Sequence, residues 1–159
     1  MNEKGFSLIE LLMVIVVVGI IGAMVVPFIA TTLDSWSFLI TERDALFTAR
    51  LALNRIIREI RQIKNIDSIE TFTSSEFKFN DIDDNSINFK QVGVSLNRNS
   101  DELCNKLESE EGLFITYLDG NGNITSIKDD IRMVRVKLTV VSENSSITIQ
   151  SAAAFRNIA

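Results

Sequence analysis

The chain has 159 residues and a net charge of −5, with 21 acidic against 16 basic side chains, no histidine and one cysteine. Its length allows one domain plus an appendage, and without a basic surplus it lacks the electrostatic grip that nucleic-acid binding needs. A single cysteine, Cys104, excludes an internal disulfide, and the absence of histidine removes the commonest general base and zinc ligand.

The chain opens on a polar head of five residues, Met1-Asn2-Glu3-Lys4-Gly5, followed by Phe6-Ser7-Leu8-Ile9-Glu10-Leu11-Leu12. From Leu11 to Ala30 there is no charged side chain. Roughly 20 helical residues at about 1.5 Å each span the roughly 30 Å of a bilayer's hydrocarbon, so this segment is predicted to cross a membrane. It is longer than the apolar core of a secretory signal, and no Ala-x-Ala cleavage site closes it. An ordinary anchor explains the length but not Glu10, since a carboxylate in an apolar helix costs roughly 2.5–3.5 kcal/mol on insertion scales. Some partner has to compensate that charge.

The hydrophilic leader ending in Lys4-Gly5, then Phe6-Ser7-Leu8-Ile9-Glu10-Leu11-Leu12 and an unbroken apolar helix, resembles the N-terminus of the type IV pilin and type II secretion pseudopilin superfamily. The resemblance implies that a prepilin peptidase cuts between Gly5 and Phe6 and that the new amino group of Phe6 is methylated. It further implies a single-pass protein of the bacterial inner membrane with its C-terminal domain in the periplasm, later assembled into a filament. The implied partners are the prepilin peptidase, other major and minor pilins or pseudopilins, and the inner-membrane assembly platform. In such a filament Glu10 of one subunit meets the Phe6 amine of a neighbour. A buried charge is costly alone and tolerable when paired, so the pair would reward axial register.

Within the apolar helix, Gly19 and Pro27 fall where many pilins carry a helix-loosening glycine and a proline. Pro27 lacks a backbone N–H and crowds the preceding turn, so with Gly19 and Gly22 it is expected to kink or loosen the helix. A membrane-helix proline without that role is the alternative. Trp36 and Phe38 suit either a membrane interface or packing against the following domain.

From Leu39 to Lys64 there is neither Gly nor Pro, and Leu39, Leu46, Ala49, Leu53, Ile56, Ile57, Ile60 and Ile63 recur at three- and four-residue spacing. That is an amphipathic helix, continuing the first one for roughly 90 Å in all. Its polar face is read as Arg50, Arg55, Arg58, Glu59, Arg61 and Lys64, with Arg55 and Glu59 one turn apart. These side chains form a solvated face or meet acidic surfaces of neighbouring subunits.

Beyond Lys64 the period changes from 3.6 to 2. Glu76–Asn80 and Ser86–Lys90 alternate around an Asp-Ile-Asp-Asp-Asn turn and read as a hairpin. Weaker strands are expected at Val92–Leu96 and Leu103–Leu107, and stronger ones at Leu113–Leu118, Ile131–Val141 and Ile147–Phe155. The fold class is therefore α+β, pilin-like, with a long N-terminal helix packed on an antiparallel sheet. The expected divisions are a leader at 1–5, a transmembrane or filament-core helix at 6–33, its amphipathic continuation at 34–65 and a β-rich domain at 66–159. The segment Leu51–Gln62, the Tyr117–Gly122 turn and the ending Phe155-Arg156-Asn157 resemble J-type minor pseudopilins and W-type minor pilins. J-type members are implied to sit near the filament tip, and the presence of Glu10 argues against a K-type tip subunit, which typically lacks it.

Asp119, Asn121 and Asn123 offer oxygens at alternating positions and raise calcium. However, Ile124 stands where an EF-hand loop needs glycine, and Asp-Gly and Asn-Gly between strands are hairpin-turn chemistry. The acidic groups Asp81, Asp83, Asp84 and Glu108, Glu110, Glu111 read as solvated loop charges rather than paired catalytic carboxylates. No catalytic constellation and no cofactor are expected. The sequence thus describes a minor pilin or pseudopilin matured by prepilin peptidase and assembled into, or at the tip of, a type IV pilus or type II secretion pseudopilus. The alternative is a pilus-associated minor pilin that binds DNA or a surface.

Overall fold

The computed structural model describes residues 7–142 and 145–156. The chain forms two compact units, residues 1–41 and 42–159. One helix, α1 (Leu8–Ile60), supplies nearly all the described part of the first unit and the opening of the second. In the first unit the side chains from Leu8 to Leu33 are exposed without exception, although most are Leu, Ile, Val, Met or Phe. This stretch is long and apolar enough to cross a membrane.

In the second unit α1 lays a stripe of Ala45, Ala49, Ala52, Leu53, Ile56, Ile57 and Ile60 into the core. The spacing of three and four puts these on one face, and the three alanines let the helix come close to what it covers. The helix ends at Ile60, four residues before the end read from the sequence. Ile63, expected on the helix, is buried in a bridge to Asp81. Leu39 is exposed and Leu46 half-buried, so the core stripe begins later than the sequence pattern implies.

The strands form two antiparallel sheets. The first is a five-stranded meander of β1 (Ile69–Phe72), β2 (Glu76–Asn80), β3 (Ser86–Val92), β4 (Ser95–Arg98) and β5 (Asp101–Cys104). The second joins β6 (Leu113–Leu118), β7 (Met133–Ser142) and β8 (Ser145–Ala154) in that order, with a 3₁₀ turn at Lys128–Asp130 between β6 and β7. The expected β2–β3 hairpin forms, with Phe77 opposite Phe89 and Phe79 opposite Ile87. All four side chains are buried on one face, as alternation requires. The expected strand at Val92–Leu96 is instead split by a turn at Gly93-Val94, with Val92 ending β3 and Ser95-Leu96 opening β4. Gly93 has a φ of 60°, which glycine adopts without strain, and Val92 and Val94 are exposed. The expected Leu103–Leu107 strand is shifted back to Asp101–Cys104.

Aromatic and polar contacts tie the two sheets together. Tyr117 of β6 packs its ring 5.4 Å from Phe77 and edge-on to Phe72 at 5.6 Å. Its hydroxyl donates to the Thr73 carbonyl at 2.9 Å, and burial pushes the phenol well above its ordinary pKa, which keeps it a donor. Gln91 of β3 acts as a strap. Its Oε1 accepts the Leu113 N–H at 2.7 Å, while its Nε2 donates to the carbonyls of Gly93 and Glu108 at 2.7 and 2.6 Å.

Glu59 corrects the sequence reading of the helix's polar face, because it is buried. Arg98 of β4 donates from Nε to both its carboxylate oxygens, at 2.7 and 3.0 Å. Arg55 adds the expected one-turn bond at 3.0 Å. Here the helix is tied to the first sheet by a charge pair.

Candidate functional site

The residues that the sequence singles out for processing and assembly lie at the head of α1. Gly5 and Phe6 fall outside the described residues. Ser7 precedes the helix and is its N-cap; the Ser7 carbonyl accepts the first intrahelical bonds, from the N–H groups of Glu10 at 3.0 Å and Leu11 at 3.2 Å. Glu10 sits in the first turn, and its Oε2 accepts the Ser7 N–H at 3.1 Å. This is the glutamate half of a capping box, Ser-x-x-Glu, in which the third helical residue reaches back to the N-cap amide. A negative charge there also complements the helix dipole. The sequence reading weighed Glu10 as a costly charge and as the register partner of a neighbour's Phe6 amine, and missed this local role, although Ser7-Leu8-Ile9-Glu10 spells the signature.

Further along, α1 runs without interruption through Gly19, Gly22 and Pro27. Neither glycine would bring an added Cβ within 4 Å of a neighbour, so close packing within the described chain does not explain them. After Pro27, the hydroxyl of Thr31 donates to the carbonyls of Pro27 and Phe28, and that of Thr32 to Phe28. Such back-bonding to the preceding turn often bends helices.

The other candidates resolve into turn chemistry. Asp119 Oδ1 accepts the N–H groups of Asn121 and Asn123, each at 2.8 Å, and Oδ2 accepts the Asn123 side-chain amide at 3.2 Å. These bonds, led by the Asn123 N–H, hold its carboxyl below the ordinary range. Both carboxylate oxygens of Asp119 are thus engaged in closing the turn, with Gly122 at a φ of 85°. Among the described residues no group of three or more Asp, Glu, Cys or His is placed to hold a metal.

Asp81 repeats the arrangement. It accepts the N–H groups of Asp83 at 2.9 Å and Asn85 at 2.8 Å, and the Asn85 side-chain amide at 3.1 Å. It is buried, against its sequence reading as a solvated loop charge. Asp84 pairs with Lys64 at 2.7 Å, and Glu108, Glu110 and Glu111 are exposed. Cys104 is a free, buried thiol.

Residues 1–26 match the family model described as the prokaryotic N-terminal methylation motif. No curated protein and no solved structure gives a significant match to the chain. The motif covers the polar head, Gly5, Phe6, Ser7, Glu10 and most of the exposed apolar helix, which fits a membrane-anchored subunit that is processed by a prepilin peptidase and assembles with other pilins. With that motif at its head and a long helix covering antiparallel sheets behind it, the chain carries the prokaryotic N-terminal methylation motif and resembles the type IV pilin and pseudopilin superfamily.

Proposed function

We propose that this protein is a minor subunit of a type IV filament, either a type IV pilus or a type II secretion pseudopilus, matured by cleavage between Gly5 and Phe6. The observation that carries this reading is the methylation motif running straight into a fully exposed apolar helix. Such a surface calls for lipid first and for neighbouring helices afterwards. The apolar helix would enter the filament core, leaving the β-rich part at the filament surface. The lack of an internal disulfide and the J-like and W-like segments favour a minor over a major subunit.

Cleavage creates a cationic amine on Phe6, four residues and one helical turn from Glu10. In the membrane-held subunit the Glu10 carboxylate has the Ser7 N–H as a local partner, which lowers the cost of keeping it ionised near lipid. On assembly it would meet the methylated Phe6 amine of a neighbour. A charge-assisted bond is stronger than one to a neutral amide, and a carboxylate with no facing ammonium would stay buried and uncompensated. Subunits stacked out of step are thereby penalised. Gly19, Gly22 and Pro27 would let the helix stretch or bend as it passes from bilayer to filament.

The test is an in-frame deletion in the native host, complemented by the wild-type chain and scored in parallel for surface pili and for release of secreted proteins. Loss of pili with normal secretion assigns the subunit to a type IV pilus. Loss of secretion with pili intact assigns it to a type II secretion pseudopilus. If both are normal, the reading fails.

A further inference from the structure

Part of α1 in the second unit faces away from the core and is built unlike the rest of the surface. Arg43, Phe47, Arg50, Asn54 and Arg58 follow one another at intervals of four, three, four and four residues, so they form a single stripe on the side opposite Ala45, Ala49, Ala52 and Ile56. All five are exposed, and Leu51 flanks them. Phe47 is 63% and Leu51 55% exposed. None of the three arginines has an ion-pair partner among the described residues, unlike Arg55 and Arg98, which share Glu59. In a chain with five more acids than bases, a stripe whose charges are three arginines, beside two exposed apolar side chains and with exposed Asp44 at its margin, is out of keeping with its surroundings. Arginine and aromatic residues are also the types enriched in protein interfaces.

The same unit carries the complement elsewhere. Glu108, Glu110 and Glu111 are exposed, lie within four consecutive residues and pair with no cation among the described residues. Their loop is held in shape from beneath. Gln91 Nε2 donates to the carbonyls of Glu108 and Ser109, and the Glu108 N–H donates to the Thr139 carbonyl at 2.9 Å. A Cβ on Gly112 would run into the Glu108 carbonyl, so the loop closes tightly only with glycine there. The three carboxylates stand on a prepared support.

We propose that the arginine stripe of α1 docks the Glu108–Glu111 loop of a second copy of this chain, with Phe47 and Leu51 covered at the centre of the contact. The two patches are different surfaces of one chain, so the contact is heterologous. Repeated without closing, heterologous contacts produce open helical assemblies, whereas a two-fold contact stops at a dimer. This inference rests on the filament reading, and it favours runs of adjacent copies over a single copy at the tip.

Charge reversal in the full-length chain tests it, expressed in the native host in place of the wild type. One variant carries Arg50→Glu and Arg58→Glu, a second carries Glu110→Arg and Glu111→Arg, and a third combines all four. The readout is the amount of chain in sheared filaments relative to the mature form in membranes, which controls for folding and processing. Like charges facing each other are strongly disfavoured, so each reversal alone is expected to lower incorporation about tenfold or more, and the combination to restore it to within about threefold of wild type. The single pair R50E with E110R repeats the test at one contact if a double reversal lowers the membrane level. Normal incorporation of either reversal overturns the proposal. Loss without restoration in the combined variant overturns the second copy as the occupant. If the wild-type chain never enters the filament fraction, the filament reading itself has failed.

Discussion

Glu10 shows how one carboxylate can serve two states of a subunit. While the chain is alone, its partner is the Ser7 N–H at 3.1 Å; in a filament, the proposed partner is a neighbour's Phe6 amine. Glu10→Val is therefore expected to leave cleavage and methylation of Phe6 largely intact. It should lower incorporation into filaments about tenfold or more, because breaking a buried pair typically costs about 3–5 kcal/mol. Normal incorporation of the Glu10→Val chain would remove the register role.

Asp81 gives a prediction in pH. Its burial alone would raise its pKa, but hydrogen bonds from the Asn85 side chain and from the N–H groups of Asn85 and Asp83, with the nearby Arg98 charge, outweigh this and leave it below the ordinary range. A carboxyl depressed in the folded state contributes stability that is fully present above its unfolded pKa and is lost as pH falls through the folded one. Thermal unfolding of the full chain in detergent should therefore weaken below about pH 4, near the ordinary Asp value. Asp81→Asn should be less stable than wild type at pH 7, with the gap narrowing as pH falls. A constant gap down to pH 2 would show that the carboxylate's charge does not matter.

Between elements, the Glu59 pair ties α1 to the first sheet. Glu59→Ala leaves the Arg98 guanidinium, mostly buried, without its partner, and the expected loss is about 3–5 kcal/mol. Arg55→Ala removes a partner that is 39% exposed, and should cost no more than about 1 kcal/mol. Equal midpoint shifts for the two in denaturant unfolding of the detergent-solubilised chain would contradict this ranking.

How much of each element could be read from the sequence follows from the range of its determinants. The β2–β3 hairpin was legible because Phe77, Phe79, Ile87 and Phe89 alternate locally, and β6, β7 and β8 were legible for the same reason. β1 was missed. It is four residues long, and its pairing slips between Ile69 and Thr71, which breaks the alternation. The strand expected at Val92–Leu96 is split because a left-handed glycine overrides a short apolar run. Glu59 and Gln91 find their partners 39 and 17–22 residues away, a separation that no local pattern encodes. At the head of α1 the methylation motif and the unusual charge of Glu10 were plain, while its capping bond to Ser7 was present in the spelling and passed over. Asp81 and Asp119 close their turns with the same hydrogen bonds from the residues two and four positions on; both turns were legible, but the burial of Asp81 was not.

For the molecule as a whole, the charge balance and the motif point the same way. The acidic surface predicts at most weak, strongly salt-dependent binding of duplex DNA to the purified chain, measurable by titration at low and physiological salt. Submicromolar binding that persists at physiological salt would favour the DNA-binding alternative. The central claim is that the chain is a precursor matured into a filament subunit, and the most direct test is its intact mass when it is produced with and without a prepilin peptidase. The account predicts a chain that retains residues 1–5 without the enzyme, and one that begins at Phe6 and carries a single added methyl group with it. The same N-terminus in both samples, with Gly5 still attached, would contradict it.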